Sequence, residues 1–187
     1  MPLNHVSRYS ELTDYQYMAL GKVVVEWANI EFLLGVLLGR LLATPEFLAR
    51  TYTESMAAVR LQDAITQAIE IHKVRYRCKL IPKDHLIEIA AINSSVVSLR
   101  ISRNKIAHYC WSRSSDDEMF GTKFAGGVPT SKSERRNCGM LRLSDLSSLH
   151  RDACLVVDRL NTVISALPSF EEEQLLALLS ESSSEER

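Results

Sequence analysis

Apolar residues recur at helical spacing along most of the chain, in long stretches separated by prolines or polar segments. The first predicted helix is capped by Ser10-Glu11 or Thr13-Asp14 and runs to about Ala43, where Thr44-Pro45 stops it. Its apolar positions cover one face and much of the remaining surface: Leu20, Val24, Trp27, Leu34 and Leu38, then Val25, Phe32, Leu33 and Val36. We therefore expect this helix at a central bundle position, at a subunit interface, or both.

Three further helices are predicted from the same periodicity. The second runs from Glu46 or Thr53 to about Lys79, and Ile81-Pro82 breaks it. The third spans about Asp84 to Tyr109, and the fourth is capped by Ser144 or Asp145 and ends before Pro168. A short amphipathic segment, Phe170 to Leu179, follows the fourth helix.

The segment between the third and fourth helices, Ser112 to Met140, is polar and lacks helical periodicity. Met119-Phe120 and Lys123-Phe124, on either side of Gly121, weakly favour a small hairpin there. The prediction is an all-α fold, a four-helix bundle with a polar loop or small hairpin excursion between the third and fourth core helices. Residues 1–180 form one domain in this interpretation, and residues 181–187 form a disordered tail.

Composition and charge limit the functions and locations that the sequence allows. The chain has 187 residues, a formal net charge of −1 and 46% hydrophobic residues, so a nucleic-acid partner would have to meet local positive charge. Ile30 to Leu42 is too short, and with Glu31 and Arg40 too charged, for a membrane span, and the N-terminus resembles no secretory signal. We expect a cytoplasmic protein without a membrane partner.

The four cysteines form no Cys-x-x-Cys pair, which favours free thiols in a reducing compartment. A metal could in principle be held by His108, Cys110, Cys138 and His150, but their spacing matches no known ligand set. No metal and no cofactor is therefore predicted.

The third helix carries the most informative cluster, at Arg103 to His108. Its apolar stripe is formed by Leu86, Ile89, Ile92, Val96, Leu99 and Ala107, and Arg103 falls near the middle of that stripe. An arginine there must be paired, reach water, or line a polar cleft. Glu31 is a similar anomaly on the first helix, and an ion pair between Glu31 and Arg103 would satisfy both. Such a pair could also do no more than fix the helix register.

Asn104 and His108 are four residues apart and so share a face of the helix. Arg103 and His108 are offset by about 140°, so they converge only if the arginine reaches round or a second molecule completes the site. Arg100 and Lys105 belong to a basic strip from His72 to Lys105 that suits RNA phosphates. A solvated helix end is the alternative interpretation of that strip.

These features together resemble the HEPN superfamily over roughly Glu11 to Pro168. The resemblance rests on a long apolar first helix with Trp-x3-Glu (Trp27 and Glu31) and a later helix ending Arg-Asn-x3-His (Arg103, Asn104 and His108). Many HEPN proteins are metal-independent endoribonucleases, and many act in toxin–antitoxin or phage-defence systems. They commonly dimerise so that two Arg-x4-6-His motifs face one shared cleft.

The resemblance implies roles for individual residues. Arg103 and His108 become the catalytic pair and Asn104 the polar residue that often follows the arginine, while Glu31 and Tyr109 are supporting groups. One departure concerns a toxin subset with a tyrosine two positions after the histidine, because Cys110 occupies that position here. The implied partners are RNA, a second copy of the chain and an antitoxin protein.

The chemistry implied is attack of the RNA 2′-hydroxyl on the adjacent phosphate. His108 would remove that proton or protonate the leaving 5′-oxygen, and Arg103 would stabilise the negative charge on the phosphorane. Two alternatives stay open at this point. One is a non-catalytic HEPN-like module that binds nucleotide, RNA or protein, and the other is a bundle in which the motif only fixes register.

Overall fold

A computed structural model of the chain describes residues 10–123, 138–170 and 173. In this part the chain is mostly helical, as predicted, and also holds a small sheet. The helices are α1 (Asp14–Leu41), α2 (Glu46–Thr53), α3 (Ala58–Val74), α4 (Lys83–His108) and α5 (Leu143–Ala166), and the strands are β1 (Cys110–Arg113), β2 (Glu118–Thr122) and β3 (Cys138–Arg142). The packing of four helices into one bundle stays a prediction. The tail at residues 181–187 and most of the segment Phe170 to Leu179 lie outside the described residues.

The chain divides into two compact units. The first unit comprises Met1–Trp27 and Ser98–Cys154, and the second comprises Ala28–Val97 and Leu155–Arg187. The single domain over residues 1–180 stays a prediction. In the described part, none of the helices combines the length and apolar character that crossing a membrane requires.

The start of α1 follows the second of the two predicted caps. The Gln16 backbone N–H donates to Thr13 Oγ1 at 3.2 Å, and the Thr13 backbone N–H donates to Gln16 Oε1 at 2.9 Å. This reciprocal pair is a capping box, which satisfies two backbone donors that the first turn leaves open. Asp145 has a related role in α5, where its Oδ2 accepts the Arg142 backbone N–H at 3.0 Å.

The predicted second helix is wrong as one continuous element, since α2 ends at Thr53 and α3 begins at Ala58. Hydroxyl groups at the break bond locally to the last turn of α2. Thr53 Oγ1 donates to the Ala49 carbonyl at 3.0 Å, and Ser55 Oγ donates to the Tyr52 carbonyl at 3.2 Å. Thr66 makes the same kind of bond to the Gln62 carbonyl inside α3, so these bonds accompany the last turn of α2 and do not by themselves end it.

The second unit is held by apolar packing and by a few buried polar contacts. Gln62 on α3 and Asn93 on α4 each donate a side-chain N–H to the other's backbone carbonyl, at 2.9 Å and 3.0 Å. His72 Nε2 lies 2.8 Å from the carbonyl oxygen of Leu41. Helix α2 approaches α1 closely at Gly39. A Cβ added to this glycine would lie 2.7 Å from the Ala49 Cβ, which is too close for a normal contact.

The sheet in the first unit corrects the prediction for the polar excursion. Its strands are antiparallel in the order β1-β2-β3. Gly121 lies inside β2, directly opposite Trp111, so it is not the turn of a hairpin between Met119-Phe120 and Lys123-Phe124. A Cβ at Gly121 would lie 2.6 Å from Trp111 Cζ3, so only glycine leaves room for the indole ring.

The core of the first unit joins the start of α1, the end of α4, the sheet and the start of α5. Its buried members are Leu12, Val23, Ile106, Trp111, Met119 and Leu146. The Gln16 side-chain amide donates to backbone carbonyls at the β1–β2 turn, 2.8 Å from the Ser115 oxygen and 3.2 Å from the Asp116 oxygen. The turn is thereby attached to α1.

Candidate functional site

Arg103 lies on α4 in the first unit, half-buried against an aromatic ring. Its guanidinium carbon is 5.7 Å from the centroid of the Trp27 ring. This distance allows a cation–π attraction, which contributes about 0.5–2 kcal/mol depending on exposure. Arg103 Nη1 also donates to Asn104 Oδ1 at 3.4 Å. The guanidinium thus contacts one aromatic and one amide side chain.

No ion pair described within the first unit includes Arg103. The ion pairs described there join Arg113 to Asp116, Arg142 to Glu118 and Arg151 to Asp152. Arg103 Nε is buried and has no hydrogen-bond partner in the described part of the chain, so only the terminal N–H groups of Arg103 are candidates to bind an anionic ligand.

Glu31 belongs to the second unit, so its predicted ion pair with Arg103 remains a prediction. Within that unit the half-buried Glu31 lines a cavity of about 320 Å³ with Phe32, Arg50 and Thr53 among its walls. The Arg50 guanidinium lies 5.0 Å from the centroid of the Phe32 ring and pairs with Glu46 at 2.6 Å.

Asn104 and His108 are both exposed on α4. Their four-residue spacing predicts that they share a face at the edge of the apolar stripe, but it does not predict their exposure. Ile101 shares that face, three residues before Asn104 and seven before His108, and 54% of it is exposed. Lys105 is also exposed, and Arg100 is half-buried. An exposed isoleucine beside the predicted catalytic residues was not anticipated from the sequence.

The helix is continuous from Arg103 to His108, which fixes their separation. Five residues correspond to a rise of about 7.5 Å and a rotation of about 140°. The two side chains of one chain therefore point in different directions. The predicted stripe is correct through Leu99, but Ala107 is exposed and Ile106 is buried instead. Ile106 contributes to the core of the first unit, which turns the buried face of the last turn away from Ala107.

The end of α4 is fixed by an aromatic pair that directly follows His108. Trp111 Nε1 donates to the Ile106 carbonyl at 3.0 Å, which satisfies one of the open acceptors of the last turn. Tyr109 stacks on Trp111 with 5.7 Å between ring centroids and 23° between planes. The supporting role predicted for Tyr109 stays a prediction. Sequence reasoning missed Trp111 because its partner Gly121 is identified only by the strand register.

The four residues considered from the sequence as a metal site do not form one in the described structure. Cys110 and Cys138 are exposed and lie on strands separated by β2, with Thr122 paired to both. His150 lies instead beside Glu26 and Cys154, with the three potential ligand atoms within 4.8 Å of one another. None of the four cysteines forms a disulfide in the described structure.

Comparison with family models, curated proteins and solved structures found no match to this chain. The resemblance to the HEPN superfamily thus depends on the motif residues and on the order of the helices.

Proposed function

We propose that the protein is a metal-independent endoribonuclease of the HEPN type that acts as a homodimer. In this proposal the helices form a HEPN-like four-helix bundle, and the protein belongs to a cytoplasmic toxin or defence system with an antitoxin protein as a further partner. The observation that carries the proposal is the environment of the Arg103 guanidinium. Its guanidinium lies over the Trp27 ring and donates to Asn104, and no ion pair described within its unit includes it.

A phosphodiester suits this guanidinium because its planar fork can donate two hydrogen bonds to phosphate oxygens. The extra negative charge of a phosphorane strengthens those bonds in the transition state, which lowers the barrier. Arg100 and Lys105, on the same part of α4, supply further positive charge for the RNA backbone. These groups position and stabilise the reacting phosphate.

His108 supplies proton transfer in this mechanism. As a base it removes the proton from the 2′-hydroxyl, whose oxygen attacks phosphorus and forms a 2′,3′-cyclic phosphate. As an acid it protonates the departing 5′-oxygen, so the products are a cyclic phosphate end and a 5′-hydroxyl end. One imidazole cannot conveniently serve both opposite positions in line, so two copies of His108 divide these tasks.

A dimer through the exposed face of α4 would bring the two histidines together. Ile101 is 54% exposed on that face, and a two-fold interface places the same residues of both copies against each other. Met18 and Val25, exposed by 45% and 59% on one face of α1, offer additional apolar surface. Ile101→Asp is expected to shift the protein toward monomer in light scattering and to reduce cleavage in parallel.

The decisive experiment incubates untagged protein with mixed RNA in EDTA, beside Arg103→Ala and His108→Ala. Both variants are expected to lose cleavage by at least about 100-fold, which is typical for removal of a proton-transfer or charge-stabilising group. Arg113→Ala is the matched control, because Arg113 is an exposed arginine of the same unit. RNA carrying 2′-O-methyl groups should resist cleavage by the wild-type protein. Equal cleavage by all the variants would refute the proposal.

A binding module without turnover is the second candidate. The same half-buried position of Arg103 favours it, because a guanidinium placed over the Trp27 ring can bind a phosphate without cleaving the RNA. Stoichiometric binding of RNA or nucleotide by intact protein, with no cleavage and with loss of binding in Arg103→Ala, would select this function. Retained binding in that variant would exclude both functions at this site.

A further inference from the structure

We propose that Glu26, His150 and Cys154 form a zinc-binding site within the first unit. Glu26 comes from α1, and His150 and Cys154 come from α5, four residues apart and therefore on one face of that helix. All three side chains are half-buried, and their potential ligand atoms lie within 4.8 Å of one another. The site lies outside the Arg103 and His108 constellation, and it does not depend on the proposed nuclease function.

The separation of the two α5 side chains suits tetrahedral zinc. Zn–N and Zn–S bonds of about 2.05 Å and 2.3 Å at a tetrahedral angle place the nitrogen and the sulfur about 3.6 Å apart. His150 Nε2 and Cys154 Sγ lie 3.6 Å apart in the structure. This hydrogen-bonded separation therefore matches the length of one edge of a zinc tetrahedron.

Glu26 completes the protein ligands with modest adjustment. The corresponding edges from a carboxylate oxygen to nitrogen and sulfur are about 3.4–3.6 Å, so its carboxylate needs to approach by no more than about 1.4 Å from the 4.8 Å limit. A half-buried glutamate on a helix surface accommodates such a movement by rotamer change. The site then has three protein ligands and one position open to water.

The donor types select the metal. Thiolate and imidazole together favour zinc over magnesium or calcium, which prefer oxygen ligands. Binding would deprotonate the Cys154 thiol and replace its hydrogen bond to His150 by two metal bonds. Because the ligands come from two helices, the ion would tie α1 to α5 and stabilise the folded first unit.

The test is titration of untagged, metal-free protein with Co²⁺ as a spectroscopic probe, followed by Zn²⁺. We expect one equivalent to bind, with tetrahedral d–d bands and a thiolate-to-cobalt charge-transfer band that Zn²⁺ abolishes. Cys154→Ser should lose the charge-transfer band, and His150→Gln should weaken zinc affinity on the order of 100-fold. Free zinc at 100 times its Kd should raise Tm by about 5–10 °C.

The matched control replaces Cys78, Cys110 and Cys138 together by serine, which leaves Cys154 as the one thiol of the chain. This variant should retain the charge-transfer band at full intensity, and it decides the question even if Cys154→Ser fails to fold. The proposal is overturned if the control variant lacks the band, or if His150→Gln and wild-type protein bind zinc equally. Because no RNA is present, either result is independent of the nuclease assay.

Discussion

Replacing Trp111 by phenylalanine should destabilise the first unit by more than the same replacement at Trp27. Both indoles are buried, with 8% and 3% of their surface exposed. Trp111 Nε1 donates to the Ile106 carbonyl at 3.0 Å, whereas Trp27 Nε1 has no hydrogen-bond partner among the described residues. The two substitutions remove the same atoms, but only one removes a hydrogen bond.

The magnitude follows from that difference. Each substitution leaves a similar gap in a packed region, with a comparable loss of free energy of unfolding. Trp111→Phe in addition leaves the Ile106 carbonyl without its donor, which costs about 1–3 kcal/mol for a buried group. Trp27→Phe retains an aromatic face for Arg103, so most of the cation–π attraction survives. We expect Trp111→Phe to be the less stable variant by about 1–2 kcal/mol.

The assay is urea and thermal unfolding followed by far-ultraviolet circular dichroism, because each variant changes the tryptophan fluorescence. For a chain of this length, the expected difference between the two variants corresponds to about 2–8 °C in Tm. If Trp27→Phe proves as destabilising as Trp111→Phe, the hydrogen bond to Ile106 does not stabilise the end of α4 as we reason.

Two further predictions concern the glycines and acid pH. Gly121→Val should lower the free energy of unfolding by about 1–3 kcal/mol, because the new side chain forces the opposing Trp111 indole aside. Gly21→Ala should raise it by about 0.5–1 kcal/mol, because the new Cβ has no atom within 4 Å and alanine favours the helix. Equal effects of the two substitutions in thermal unfolding would contradict this reasoning. The hydrogen bond from Arg159 holds the pKa of Glu88 below its ordinary value. Glu88→Gln should therefore be less stable than wild type at neutral pH, and this difference should disappear as the pH falls through the folded-state pKa of Glu88. A difference that stays unchanged in urea titrations at acid pH would exclude the Glu88–Arg159 pair as its cause.

The sequence predicted the helices most reliably where apolar spacing and caps agreed. Leu86, Ile89 and Ile92 are fully buried as their period requires, and the Thr13 cap is formed. The break between α2 and α3 was missed because Met56 and Val59 continue the apolar spacing across it, and residues 54–57 contain no proline or glycine that would mark it in the sequence.

From the sequence, only the relative positions of site residues on one helix could be predicted. The four-residue spacing of Asn104 and His108 predicts that they share a face of α4, and the structure adds that both residues are exposed. Contacts with other segments required the fold, namely the position of Arg103 over Trp27 and the approach of Glu26 to His150. Pairs so distant in the sequence leave no periodic signal in a single chain.

The Gln16 amide, which binds the β1–β2 turn across a sequence separation of 99 residues, has a consequence for how the protein folds. Closing a flexible loop of that length costs about 4 kcal/mol of chain entropy before its contacts repay it. During synthesis, the first unit must wait until its second segment, Ser98–Cys154, has left the ribosome, although its first segment emerged long before. The Arg103 constellation is therefore assembled late, when most of the chain has already been made.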